Sequence, residues 1–412
     1  MRNLINKIHL IIGLIIGFVI IIVSLTGCIY AFQNEIQNLT QSYRFVEEQP
    51  QSYLPPSQLK DVATKTLPGK KIHSIRYGKT NQAAVAGFYG NNPDYYFLVY
   101  LNPYTGKVLQ VKDMNADFFR FILDGHFYLW LPHEIGKPVV AIATLIFVVM
   151  IITGIVLWWP KNKAAAKQRF RIKWDAKWRR KNYDLHNVLG FYSSWVLTFI
   201  AITGLVWGFE WFSKSFYWVT SGGKALVEWS PAASDTTKEN GNFKANMDFI
   251  WTKTKQANSG VESIEVDFPH DKHDALRITT NTDGKTYWKS DNRYYDQYTL
   301  KEVQVKHPYG RFDSKLSTPD KIRRMNYDIH VGAVLGLPGK FLAFFASLIC
   351  ASLPITGFMI WYGRRYKSKT KPAARAEFVK YIEFEGMRVE EKIEIPKPKK
   401  KKIRLRKKKP SQ

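Results

Sequence analysis

Four of the nine histidines occupy matching positions in two halves of the 412-residue chain. His9 and His186 are each followed four residues later by a glycine, Gly13 or Gly190. Seventeen residues after each histidine comes a Thr-Gly pair, Thr26-Gly27 or Thr203-Gly204. His126 and His330 precede Gly136-Lys137 and Gly339-Lys340. From each of those lysines it is sixteen residues to Thr153-Gly154 or Thr356-Gly357, and five more to Trp158 or Trp361. Neutral imidazole is a metal ligand as well as an acid or base. On a helix, positions +4 and +18 return to the face of the starting residue. An imidazole above such a glycine lane suits axial ligation of a flat macrocycle that approaches the backbone. Close helix packing is the plainer reading of Gly13-x3-Gly17 and Gly204-x3-Gly208, but packing asks for no histidine.

The elements that must position these residues are membrane spans. Four segments free of Lys, Arg, Asp and Glu run over 10–32, 138–159, 188–209 and 341–361, each near the roughly 20 residues a bilayer crossing takes. Charge gives the expected orientation. The loop 160–185 has 10 basic and 2 acidic residues, and the tail after Trp361 has 19 and 6. The connections 32–125 and 210–329 are nearly balanced, with 10 basic against 8 acidic residues and 18 against 17. By the positive-inside rule both termini and the loop 160–185 are cytoplasmic, and the two large connections face outward. Most of the net charge of +27 is therefore topology, and it removes the case for a nucleic-acid partner. The like-charged run 397–409 is expected to be disordered and to lie against anionic headgroups. Leu25-Thr26-Gly27-Cys28 looks like a lipobox, but its apolar run is longer than a signal peptide's, and the Thr-Gly pair recurs in every other span.

That topology sorts the histidines into an inner pair, His9 and His186, and an outer pair, His126 and His330. Two bis-imidazole sites stacked in a membrane bundle point to two b-type haems. Zinc needs three or four protein ligands, and no Cys-x-x-Cys-His is present for covalent haem attachment. His133 competes with His126, but its repeat counterpart is Gly336, which favours His126. Arg323 and Arg324, just before His330, read equally well as holders of haem propionates or as an interfacial surface pair. His270-Asp271-Lys272-His273 reads as a solvated turn rather than a metal site, and His73 and His307 as surface histidines. Cys28, Cys350, Trp195 and Phe199 read as packing residues.

The outward segments repeat as well: Tyr104-Thr105-Gly106-Lys107-Val108-Leu109-Gln110-Val111 is echoed by Tyr298-Thr299-Leu300-Lys301-Glu302-Val303-Gln304-Val305. In the first, a helix is expected over 57–67 and strands over 71–77, 83–89, 95–101 and 107–111. In the second, a helix is expected over 247–256, strands over 261–267 and 276–280, and a hairpin over 294–305. Residues 212–245 read as a polar, irregular insertion. The unit span–soluble segment–span is thus used twice in parallel.

Together, the His-x3-Gly…Thr-Gly spans, Thr153-Gly154…Trp158-Trp159-Pro160, His330…Gly336-Leu337-Pro338-Gly339 and the Tyr104-Thr105-Gly106-Lys107 turn resemble the PepSY-associated transmembrane-helix family. The family includes ferric-siderophore reductases of bacterial inner membranes, and the likeness runs from about residue 4 to 366. It implies an α-helical membrane protein with four transmembrane helices and two small α+β, PepSY-like domains facing outward. The implied boundaries are 1–32, 33–125, 126–160, 161–185, 186–211, 212–325, 326–362 and 363–412, alternating span, outward domain, span with outer ligand segment and cytoplasmic loop, then the same again, ending in the tail. It also implies haem ligands at His9, His126, His186 and His330, and an oxidoreductase acting on a ferric siderophore or other ferric chelate. No Gly-x-Gly-x-x-Gly follows a strand, so the expected donor is membrane quinol or a cytoplasmic electron-donor protein. The competing expectation is a haem-free membrane-anchored module that binds or regulates an extracytoplasmic protein. A transporter ranks last, because these spans carry no charge and only Pro354 interrupts them.

Overall fold

The computed structural model describes residues 1–366 apart from 161, 239–242, 259 and 314, together with 379–384 and 387–392. Among the described residues, four helices are long and apolar enough to cross a membrane: Arg2–Ala31, His133–Trp158, Trp178–Gly208 and Gly336–Arg365. They are called spans 1 to 4. Most of their surface faces away from protein: Ile15, Phe18, Ile152, Trp195 and Phe199 are all exposed, as lipid-facing side chains should be. Trp195 and Phe199 are therefore on the outside of the bundle, not packed within it. Between the spans, Ile16, Ile20, Leu197, Ala346 and Cys350 form a small apolar core. Cys28 and Cys350 are both buried and free, in keeping with packing residues. Pro354 interrupts the backbone ladder of span 4 opposite Gly17 of span 1, where an added Cβ would lie 3.0 Å from the Pro354 ring. The glycine makes room for the irregular turn.

The soluble segments build one sheet rather than two. Strands β1 (Ile72–Tyr77), β2 (Ala84–Asn91), β3 (Asp94–Leu101) and β4 (Val108–Asp113) come from the first segment. β5 (Ser263–Asp267), β6 (Leu276–Asn281), β7 (Asp291–Tyr295) and β8 (Glu302–Val303) come from the second. Each expected strand is present within a few residues. The spatial order is β4-β3-β2-β1-β5-β6-β7-β8, with every pair antiparallel. The two repeats meet at β1 and β5, in the register Ser74↔Asp267 to Tyr77↔Ile264. An unpaired inner edge on either half would leave a row of backbone donors and acceptors without partners, and pairing the equivalent strands removes both edges at once.

The helices Pro56–Thr66 and Phe243–Ala257 of the two soluble segments pack together with the sheet. Leu59, Ile75, Phe88, Leu101, Met247, Ile250, Val266 and Ile278 form one core shared by both halves. Polar ties cross the same seam. The Ser57 hydroxyl donates to Asp248 at 2.5 Å, the Ser74 hydroxyl to Glu265 at 2.8 Å, and Lys244 pairs with Asp61 at 2.9 Å. The two small α+β domains expected over 33–125 and 212–325 thus share one sheet and core, and 1–362 form one compact unit.

Several helices lie outside the sequence expectations. Gln33–Thr40 continues from span 1, and Glu210–Thr220 occupies the start of the segment read as irregular. Phe118–Tyr128 and Thr318–Arg324 approach spans 2 and 4 from the sheet side, capped by Asp117 and Ser317 respectively. The Asp117 side chain accepts from the Arg120 amide at 3.0 Å and pairs with Lys112 at 2.6 Å. A second unit, Gly363–Gln412, contains an antiparallel hairpin of Val379–Phe384 and Met387–Lys392. The expectation of disorder over 397–409 falls outside the described residues.

The shared core makes a prediction. Ile75→Ala at the seam removes a fully buried side chain and should cost about 2–5 kcal/mol. Arg76→Ala, exposed on the same strand, should stay within about 0.5 kcal/mol. Thermal unfolding of the full chain in detergent compares them; equal midpoints for the two variants would refute a common core at β1–β5.

Candidate haem-ligand histidines

Each of the four repeat-related histidines is seated on the Thr-Gly pair of a neighbouring span. His9 Nδ1 lies 2.9 Å from the Thr153 hydroxyl of span 2, and His186 Nδ1 lies 2.9 Å from Thr356 of span 4. At the other end of the bundle, His126 Nδ1 is 3.2 Å from Thr26 of span 1, and His330 Nδ1 is 2.9 Å from Thr203 of span 3. The glycine after each threonine faces the ring edge. A Cβ on Gly154, Gly357, Gly27 or Gly204 would come 3.5, 3.3, 3.0 or 3.5 Å from Cε1 of His9, His186, His126 or His330. Threonine holds the nitrogen, and glycine leaves room for the ring.

This corrects the glycine lane expected beneath His9 and His186. At 1.5 Å of rise per residue, eighteen residues carry Gly27 roughly a membrane thickness away from His9. It serves His126, at the opposite end. Gly13 instead faces Met150, and Gly190 faces Leu353.

The hydrogen bonds also fix which ring nitrogen is free. Every one of these threonine hydroxyls donates back along its own helix: Thr153 to Val149 at 2.9 Å, Thr356 to Ser352 at 3.0 Å, Thr26 to Ile22 at 2.7 Å and Thr203 to Phe199 at 2.8 Å. A hydroxyl has one proton, so only its lone pairs remain for the imidazole, and Nδ1 must be the donor. For the outer pair, the Val23 and Ile200 carbonyls accept from the same nitrogens at 2.9 and 3.0 Å. The Nε2 lone pair of all four rings is therefore free. Holding one nitrogen as a donor so that the other can ligate is the usual arrangement around metal-bound histidine.

At one end of the bundle two of these rings meet. His126 and His330 have centroids 6.0 Å apart at 75°, a spacing that accommodates one metal atom between two imidazole nitrogens at about 2 Å from each. The apolar core of Ile16, Ile20, Leu197, Ala346 and Cys350 lies between spans 1, 3 and 4. Among the described residues no three of His, Cys, Asp and Glu converge, so the His126–His330 pair offers two imidazoles. That donor set fits a macrocycle that supplies its own equatorial nitrogens, and it falls short of a zinc site.

The supports for these rings were not anticipated from the sequence. Asn182 and Asn326, one helical turn before His186 and His330, donate to the carbonyls of Thr356 and Thr203 at 3.0 and 3.1 Å. Asp328, fully buried, accepts from the amides of Tyr287 and Trp288 at 2.9 to 3.1 Å and ties the His330 segment to the soluble domain. Ile5 and Ile122 occupy the corresponding positions before His9 and His126, so the repeat comparison hid the asparagines. Gly332, at φ +77, packs its backbone against Gly339 so tightly that a Cβ would lie 2.2 Å from a carbonyl oxygen. This approach fixes the turn between His330 and span 4.

The remaining candidates are accounted for as follows. His133 is exposed at the start of span 2 and stacks near Tyr128, so the structure brings His126 rather than His133 beside His330. Arg324 is buried and donates to the carbonyls of Gly310 at 2.7 Å and Trp288 at 3.4 Å. Arg323 keeps a buried Nε that has no partner. His307 is buried against Tyr294 and Trp229 rather than at the surface. His270 lies exposed in the expected solvated turn, where its ring reaches His73.

The seats predict an unequal response to the same substitution. Gly27→Ala places a methyl 3.0 Å from His126, whereas at Gly154 the nearest histidine atom is 3.5 Å away. Gly27→Ala should destabilise the chain by about 1–3 kcal/mol and Gly154→Ala by clearly less, read as unfolding midpoints in detergent. The reverse order would contradict the seat described here.

Comparison with known proteins agrees with this architecture. A search of curated proteins finds no match. The family described as the PepSY-associated TM region matches residues 6–364, nearly the whole of the span–domain–span duplication, and the chain belongs to that family.

Proposed function

We propose that this membrane-embedded PepSY protein binds two b-type haems, one between His9 and His186 and one between His126 and His330. In this reading it passes electrons across a bacterial cytoplasmic membrane to an outward acceptor, a ferric siderophore or similar ferric chelate. The observation that carries the reading is the common state of the four histidines. Each Nδ1 is pinned by a threonine whose own proton is engaged, so each Nε2 presents a lone pair.

Haem, when bound, supplies the one-electron chemistry, and the protein sets its position and potential. The threonine hydroxyls and the Val23 and Ile200 carbonyls hold the proton on Nδ1 and raise the basicity of the opposite nitrogen. The apolar layer between the two levels keeps water out of the bundle. Arg323, with its unpartnered Nε, is the better placed of the two arginines to meet a propionate, since Arg324 already serves two carbonyls. Charge distribution supports cytoplasmic termini. In that orientation a negative-inside potential favours outward electron flow by about 2.3 kcal/mol per 100 mV for a full crossing. The donor is then quinol or a cytoplasmic electron-transfer protein.

The decisive measurement is an absorption spectrum of the detergent-purified full chain, made with ample haem, before and after dithionite. A b-type spectrum at two haems per chain is expected, falling toward one in His9→Ala, His186→Ala, His126→Ala or His330→Ala and staying at two in His133→Ala. No haem spectrum at all would leave the haem-free PepSY module as the better account. Thr153→Val and Thr356→Val keep the ligand but remove its support, so they should weaken retention of the inner haem by about 10–100-fold. Full retention in both would show that the threonine seat is dispensable.

A further inference from the structure

The chain does not pass straight from span 3 into the soluble sheet. Phe209 closes span 3 and also starts the helix Glu210–Thr220, so this helix begins where the lipid-facing surface of the span ends. One of its faces is left open. Trp211, Lys214, Ser215, Trp218 and Val219 recur there at helical spacing and are exposed, whereas Ser213 and Tyr217 on the other side are buried. The Tyr217 hydroxyl donates to Asp320 at 2.7 Å, which fixes the helix against Thr318–Arg324 and turns the tryptophan face outward. Trp211, Trp218 and Val219 are 55%, 57% and 68% exposed. The one charge on this face is offset, because Lys214 pairs with Glu210 and Glu228 at 2.6 Å each. A helix face meant for water would carry polar residues in place of these.

The same arrangement recurs where other spans meet the soluble half. Gln33–Thr40 follows span 1 across Phe32 and exposes Ile36 and, almost completely, Leu39. Glu35 of this helix pairs with Lys340 near the start of span 4 at 2.7 Å, which holds the helix at the level of the span ends. Phe118–Tyr128 leads into span 2 and exposes Phe118 and Phe121. Exposed apolar side chains thus lie on three helices, each adjoining a different span. A partner protein would have to reach three separate places, whereas one bilayer surface meets them all. The residue types agree with that occupant. Indole joins a large apolar body to a single donor, and a lysine stem can lie on apolar surface while its ammonium stays in water; both are suited to the headgroup level.

We infer that Glu210–Thr220 is an interfacial helix, with the face of Trp211, Trp218 and Val219 seated in the headgroup–acyl boundary of the leaflet next to the sheet. The occupant of this face is phospholipid. Seated there, the helix gives the sheet a lateral foothold beside span 3 and limits how far it can tilt over the bundle. The inference does not rest on the haem reading.

The test is site-directed spin labelling of the full chain in nanodiscs of phosphatidylcholine and phosphatidylglycerol. Collision rates are measured for oxygen, which partitions into acyl chains, and for a water-soluble nickel chelate. Labels are placed singly at Trp218→Cys and Val219→Cys, with Thr105→Cys as the reference in water. Thr105 is exposed in the turn between β3 and β4, and β4 runs from that turn toward the membrane-proximal helix at Phe118, so the reference stands at the far end of the sheet. Cys28 and Cys350 are buried, and the parent chain reports any background label. The oxygen-to-nickel ratio at 218 and 219 should exceed that at 105 several-fold. If Trp218→Cys folds poorly, Val219→Cys on the same face carries the test. A ratio equal to that at 105 would place the helix in water and overturn the inference. Low collision rates with both reagents would overturn it in favour of a protein partner on this face.

Discussion

The hydrogen bond from a histidine Nδ1 to a threonine of the adjacent span is the constraint on which the membrane half depends. A buried imidazole with no partner would be costly in an apolar bundle. A threonine that donates to its own helix and accepts from the next satisfies that imidazole without adding charge. The following glycine then lets the ring edge approach the backbone. Four copies of this unit bind span 1 to the elements around span 2, and span 3 to those around span 4, at both ends of the bundle. The spans bury little surface against one another, and hydrocarbon gives no hydrophobic drive for helices to associate. Polar seats of this kind therefore carry much of the specificity of the assembly.

Most of the fold was legible in the sequence because its signals are local. Length and the absence of charge mark a span, and alternation with turn residues marks a strand. All four spans and the strands of both repeats follow from these features. The joining of β1 to β5 was not legible, because nothing in the composition of Lys71–Tyr77 or Val261–Asp267 distinguishes pairing within a repeat from pairing across repeats. The short helices near the membrane escaped for a different reason. In Phe118–Tyr128 and Glu210–Thr220, aromatic side chains recur through the sequence, and that pattern does not announce a helix by itself.

The candidate site shows the same division. Repeat spacing singled out four histidines, and the Thr-Gly pairs were noticed as a recurring motif. Their purpose is not legible in that spacing, since same-face arithmetic along one helix ignores how far along the axis the residue has moved. Which histidine meets which threonine is a tertiary fact. Asn182, Asn326 and Asp328 act through backbone groups on other elements, and such partners leave no spacing signature. His73 and His270 are the extreme case: 197 residues apart, they become neighbours only because two equivalent strands pair.

That pairing has a consequence for how the chain came to differ between its halves. Two equivalent strands running antiparallel beside each other are related by a two-fold axis, the isologous contact by which identical subunits form a dimer. His126 and His330 are likewise equivalent residues facing each other across the axis. A homodimer of one repeat would be obliged to present the same environment from both sides of each pair. Joining the repeats in a single chain lifts that obligation. It is already relaxed here, with asparagine one turn before the histidine in the second half and isoleucine in the first. Such asymmetry gives one gene independent control over each face of a site that symmetry would otherwise have kept uniform.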